Sequence, residues 1–114
     1  PDMSDARRVV VTGLGIVGPL GIGWRETWDA ALAGRSGAGP ITRFDPEGLG
    51  CRIACEVDGF VPGDFVDRRA ARRMDRASQL AVAAARLAAD DAGLAVDGEA
   101  ERVGVVIATG NGGS

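Results

Sequence analysis

An α/β fold built on a parallel sheet is predicted by three stretches of this 114-residue chain. Arg8 to Thr12 is a short β-branched run suited to a buried strand. Asp67 to Ala92 carries helical periodicity around the wholly apolar Leu80 to Ala85, and a helix apolar on every side is normally buried all round. Val103 to Ala108 is a continuous apolar run, the mark of a parallel strand covered on both faces.

The first run leads into Gly13-Leu14-Gly15-Ile16-Val17-Gly18, a complete G-x-G-x-x-G. In a dinucleotide site those glycines open straight into a helix whose N-terminus holds the pyrophosphate. Here Pro19, Gly21 and Gly23 follow, and none of them favours a helix at that point. No strand ending in an acidic ribose ligand comes about 20 residues later. Asp45 lies instead between Phe44 and Pro46, in a stretch from Ser36 to Pro46 that reads as loop. The glycines are therefore expected to let a strand leave its sheet through a tight loop.

Trp24, Trp28, Ala31 and Leu32 recur at helical spacing and predict a helix over 24–33 that stops at Gly34. Arg52 to Val57 alternates as a strand. Asp67 is the expected N-cap of the long helix and Gly93 its stop. The small alanines of that helix should let other backbones approach closely. Three buried strands and two helices cannot cover both faces of a parallel sheet, so the missing layer is expected beyond Ser114 or from another chain.

Composition bounds the function. With 46% apolar and 25% charged residues the chain reads as one soluble globular domain at most, without a disorder signature. It lacks an unbroken apolar window of membrane-spanning length and the layout of a signal peptide, so a cytoplasmic protein without a membrane partner is expected. All 13 basic residues are arginines and the net charge is −3, which argues against a nucleic-acid partner. Met3-Ser4-Asp5 resembles a natural start behind Pro1 and Asp2, and the chain stops straight after a strand at Asn111 to Ser114. Residues 1–114 are thus expected to be part of a longer reading frame and an incomplete domain.

Five ordered motifs carry a resemblance. They are Val9-Val10-Val11-Thr12-Gly13-Leu14-Gly15, Phe44-Asp45-Pro46, Arg72-Arg73-Met74-Asp75-Arg76, Asp90-Asp91-Ala92-Gly93-Leu94, and Arg102 to Ile107 followed by Thr109-Gly110-Asn111-Gly112-Gly113. In order and spacing the chain resembles the β-ketoacyl-[acyl-carrier-protein] synthases, most closely the type II elongating enzymes of bacterial fatty acid synthesis. The resemblance implies a thiolase-like fold, of which this would be the N-terminal part of the first α-β-α half, and a homodimeric parent. It also implies decarboxylative condensation of an acyl thioester with malonyl-carrier protein, without a cofactor. That chemistry uses a cysteine nucleophile and two histidines in the family.

The chain contains no histidine, so no catalytic residue is assigned within it and it should not condense substrates alone. Ala54-Cys55 is only superficially similar to the family's nucleophile, which sits at a small-residue elbow, because Glu56-Val57-Asp58 follows here. Cys51 and Cys55, four residues apart on a strand, would hold their Cα atoms about 13 Å apart, beyond disulfide reach. Both are expected to be buried or half-buried free thiols, and a metal site is not expected.

Arg68, Arg69, Arg72, Arg73 and Arg76 crowd into nine residues of an acidic chain. Helical spacing puts Arg69, Arg72, Arg73 and Arg76 on one face, where like charges repel unless an anionic partner or solvent receives them. The resemblance implies that Arg68, Arg69, Arg72 and Arg73 dock the acidic helix of acyl-carrier protein; a solvated face or internal ion pairs are the alternative. It further implies that Asn111 borders the acyl pocket at a position usually apolar. An unpaired amide there would cost about 1–3 kcal/mol, so Asn111 either faces away or marks a different pocket. A polyketide ketosynthase, its chain-length partner, a non-catalytic carrier-binding module and a nucleotide-binding fragment remain as other readings. A helix 67–92 and a strand 103–108 without their layers should leave the isolated chain poorly packed.

Overall fold

The computed structural model describes residues 7–95, 97–98 and 100–112. The expected start at Met3 to Asp5, and Gly113 and Ser114 of the last glycine motif, lie outside these residues. Among the described residues, two small antiparallel ribbons and two shorter helices accompany one long helix. The elements are β1 Val17–Gly18, β2 Gly21–Ile22, α1 Trp24–Leu32, β3 Gly39–Pro40, β4 Ile53–Ala54, α2 Arg68–Ala71 and α3 Arg76–Ala92, with single 3-10 turns at Pro62–Asp64 and Ala100–Arg102.

The glycine motif does not open into a helix. β1 turns through Pro19 and Leu20 into β2, pairing Val17 with Ile22 and Gly18 with Gly21, and α1 starts only at Trp24. Gly23 holds the turn with φ of 108° and donates its N–H to the Ile16 carbonyl at 2.7 Å. Gly13 and Gly15 serve another purpose, because they lie against the backbone of α3. A Cβ on Gly13 would stand 2.3 Å from the Ala88 carbonyl oxygen, and one on Gly15 would stand 1.9 Å from that of Ala84. The expected close approach to the alanines of the long helix is therefore realised by this segment. Gly13 and Gly15 meet Ala84, Ala88 and Ala92, which recur every four residues on one helix face.

Asp91 ties this corner together. Its Oδ2 accepts the Leu14 amide and its Oδ1 accepts the Trp24 indole N–H, each at 3.0 Å. These two donors, the indole first, hold its carboxyl below the ordinary carboxylate range, with the Arg25 charge adding to them.

The predicted helix over 67–92 is two helices. Asp67 caps as expected, its Oδ1 accepting the amides of Arg69 at 2.9 Å and Ala70 at 3.2 Å. Asp75 then caps a second time, accepting the Ser78 amide at 2.7 Å and the Ser78 hydroxyl at 3.0 Å. A side chain that satisfies free amide donors at a new N-terminus competes with continuous helix, and the sequence period does not register that competition. Gln79 closes the break by donating to the carbonyls of Ala71 at 2.8 Å and Met74 at 3.3 Å. The stop is where it was expected: Gly93 is left-handed with φ of 61°, and the Leu94 amide reaches back to the Ala89 carbonyl at 2.9 Å.

The parallel sheet does not form among the described residues. Residues 8–12 and 103–108 form no strand, and Val10, Val11, Val105 and Ile107 are exposed. A strand is completed by ladder partners on its edges, and none of the described segments supplies them. The expected strand 52–57 is reduced to Ile53–Ala54, paired antiparallel with Gly39–Pro40, so the stretch 36–46 is not wholly loop. In α1 the apolar face is open: Trp28 and Leu32 are exposed, Trp24 is half-buried, and Ala30 is the buried residue. In α3 burial is likewise one-sided, with Ala83 buried and most of Leu80 to Ala84 half-buried.

Among the described residues the buried apolar set is Ala30, Phe60, Ala71 and Ala83. The Cα radius of gyration is 17.8 Å, against about 13 Å for a compact domain of this length. The expectation of a loosely packed chain agrees with both.

Candidate functional site

The arginine-rich segment is positioned by the two caps. Arg68 and Arg69 stand on the short α2, Arg72 forms its C-cap and Arg73 follows in the turn before Asp75. All four are exposed, and none donates its guanidinium to a protein acceptor among the described residues. The structure thus gathers these four cations on one solvent-facing turn, with their hydrogen-bonding forks unused. Arg76 leaves the group. The second N-cap turns α3 away, and the expected common face of Arg69, Arg72, Arg73 and Arg76 is broken there. Its guanidinium stacks over Phe60 at 4.7 Å and donates to the Val57 carbonyl at 3.3 Å.

Phe60 in turn stacks on Phe65 with ring centroids 5.7 Å apart. Arg86 reaches from the middle of α3 to donate to the Phe65 carbonyl. This aromatic pair fastens the loop that precedes α2, so the arginine turn is displayed from a fixed base. Nothing in the hydropathy pattern points to that pair, since neither phenylalanine belongs to a periodic segment.

A second feature lies where the chain returns along α3. Asp75, Ser78, Ala81 and Val82 on one side and Ile107 and Thr109 on the other enclose a mostly apolar cleft of about 310 Å³. The Thr109 hydroxyl accepts the Gly112 amide at 2.9 Å and folds the glycine loop at its end. Asn111 is exposed beside the cleft and does not line it, whereas Gly112 does.

Cys51 and Cys55 are free, as expected, but exposed, which corrects the expectation of burial. Cys55 directly follows the two-residue β4 and Cys51 lies two residues before it, and Ile53 of that strand is exposed too. The described residues hold no group of three or more His, Cys, Asp or Glu side chains placed to bind a metal. No described helix is long and apolar enough to cross a membrane.

Residues 6–114 match the family "Beta-ketoacyl synthase, N-terminal domain", and the chain belongs to that family. Among curated proteins it is 46% identical over 110 residues to 3-oxoacyl-[acyl-carrier-protein] synthase 2 of Coxiella burnetii, covering 96% of this chain and 27% of that protein. The enzyme of the same name from Synechocystis sp. is 44% identical over 110 residues, covering 96% of this chain and 26% of that protein. The chain therefore spans about a quarter of the length of the curated relatives it matches. Among solved structures, "The ishigamide ketosynthase/chain length factor" superposes with a TM-score of 0.73 at 54% identity, over 80% of this chain and 23% of that one. That match bears out the expected α/β, thiolase-like class.

Proposed function

We propose that this chain is the N-terminal portion of a β-ketoacyl-[acyl-carrier-protein] synthase that works in fatty acid elongation. The observation that carries the reading is the family match along residues 6–114 together with 44–46% identity to 3-oxoacyl-[acyl-carrier-protein] synthases. In the full-length protein a cysteine thiolate takes the acyl group as a thioester. Loss of CO₂ from malonyl-carrier protein then leaves a carbanion that attacks the thioester carbonyl, forming the new C–C bond and expelling the thiolate. The nucleophile and the histidines that hold the developing enolate charge belong to sequence outside this chain, which has no histidine. Residues 1–114 are one incomplete domain in this reading, and the parent is a cytoplasmic homodimer.

Within the chain, Arg68, Arg69, Arg72 and Arg73 are the docking surface for acyl-carrier protein. Four exposed guanidiniums with unused donors suit an acidic helix, whose carboxylates accept two parallel N–H bonds from each fork. Asn111, one residue before the cleft-lining Gly112, is the residue we assign to the border of the acyl pocket in the full-length protein. The 54% identity to a ketosynthase/chain length factor supports a second reading, in which the parent builds polyketide chains.

One experiment tests both. The full-length protein is incubated with acyl- and malonyl-carrier proteins and the products are resolved by mass. A single β-ketoacyl extension supports elongation, an oligo-β-ketone supports the second reading, and no product with any primer refutes both. In the same assay the double substitution R72E/R73E should raise KM for carrier protein at least about tenfold at low salt, with the gap narrowing as salt screens the charges. An unchanged KM would refute the docking role.

A further inference from the structure

Arg76, having left the arginine turn, meets another cation. Its Nη2 and that of Arg43 both donate to the Val57 carbonyl, at 3.3 Å and 2.7 Å. The two nitrogens are therefore at most about 6 Å apart, the sum of those contacts. One neutral oxygen is a poor counterpart for two guanidiniums that carry ten N–H groups between them. Neither takes part in an ion pair among the described residues. The Glu56 carboxylate, which feels the Arg43 charge, is occupied by the Thr42 hydroxyl at 2.6 Å and by the Thr42 and Arg43 amides at 3.2 Å.

The pair is also held in place. Arg76 is half-buried against the face of Phe60, itself stacked on Phe65, so its fork is oriented before any ligand arrives. Desolvation first, and then the Arg43 charge, push the Arg76 guanidinium below its usual range, the direction expected for a cation that lacks an anion. Arg43 comes from the loop after β3 and Arg76 from the first turn of α3, so the site draws on two separate elements.

From this geometry we propose that Arg43 and Arg76 form an anion seat for a phosphate-class oxyanion, distinct from the arginine turn at residues 68–73. Two forks converging on one point match a group with several acceptor oxygens better than a single lone pair. The shared chemistry is a phosphoester, either free in solution or attached to a docked protein. The seat does not depend on the carrier-protein reading, because the docking arginines are not part of it.

The test is titration calorimetry of the full-length protein with inorganic phosphate at constant ionic strength, chloride serving as the reference anion. Wild type and R35Q, a change at an exposed arginine outside both groups, are expected to bind phosphate equally, while R43Q and R76Q weaken it at least tenfold. Arg43 is exposed, so R43Q keeps the test informative even if loss of the Arg76–Phe60 stack disturbs folding. No saturable binding in wild type would mean that another part of the protein fills the seat, and would overturn the proposal. Binding that survives R43Q would overturn it as well. Carrier protein with and without its phosphodiester-linked arm then serves as competitor. Competition by the loaded form alone assigns the phosphate to the partner, competition by neither assigns it to a free phosphoester, and equal competition by both overturns the phosphate assignment.

Discussion

Substitution of Gly15 by alanine should be among the most damaging single-methyl changes in this chain. The added Cβ would lie 1.9 Å from the Ala84 carbonyl oxygen and 2.5 Å from the Ala88 nitrogen. Ordinary contact begins near 3.4 Å, so the segment and the helix must separate by about 1.5 Å. Both obstacles are backbone, and no rotamer change relieves them. Overpacking of a close contact costs about 1–3 kcal/mol, and a contact that only backbone movement can open belongs at the upper end, about 3 kcal/mol. Movement of that size would also strain the Leu14 amide bond to Asp91, one residue away. Gly18 is the internal control, because a Cβ there meets nothing within 4 Å and Gly18→Ala should change stability by less than about 0.5 kcal/mol. Urea unfolding of the full-length protein measures both, with a loss of about 3 kcal/mol lowering the midpoint by roughly 1 M or more at common m-values. If Gly15→Ala unfolds within 0.5 M of Gly18→Ala, the close approach to α3 is not what this glycine is for.

The acid limb should report on Asp91. Its folded pKa is depressed, so its stabilising contribution is complete above the ordinary value of 3.8 and is lost as pH falls through the lower folded value. Asp91→Asn should flatten the acid dependence of Trp24 fluorescence, read in a Trp28→Phe background, and an unchanged acid profile would contradict the clamp. Gly93→Ala should cost about 1–2 kcal/mol by forcing an L-residue into the left-handed cap at φ of 61°, while Gly104→Ala, with open space around it, serves as the reference for methyl addition. Thermal unfolding of the two variants side by side checks the difference.

Features written in local chemistry were legible in the order of residues. Proline and extra glycines after Gly18 ruled out a phosphate-binding helix, and the chain indeed turns through a β1–β2 ribbon before α1. Asp67 and Gly93 acted as cap and stop because their side-chain oxygen and missing Cβ work within one turn of chain. The family motifs were equally local, and their order sufficed to predict membership. The arginine group was found from composition, but its geometry was only half right. Period alone placed Arg76 with Arg72, and it does not register the second N-cap at Asp75 that parts them.

Three things were decided only by segments far apart in sequence meeting in space. The glycines at 13 and 15 serve an approach to α3 some 70 residues away, and no local pattern distinguishes that use from loop flexibility. The meeting of Arg43 with Arg76 depends on a carbonyl at Val57, a group every residue possesses. The valine-rich runs at 9–11 and 103–107 state their preference for a sheet in their composition. A strand nevertheless exists only when its edge groups find partners, so the sequence determined what these runs would favour and tertiary contacts determined what they form.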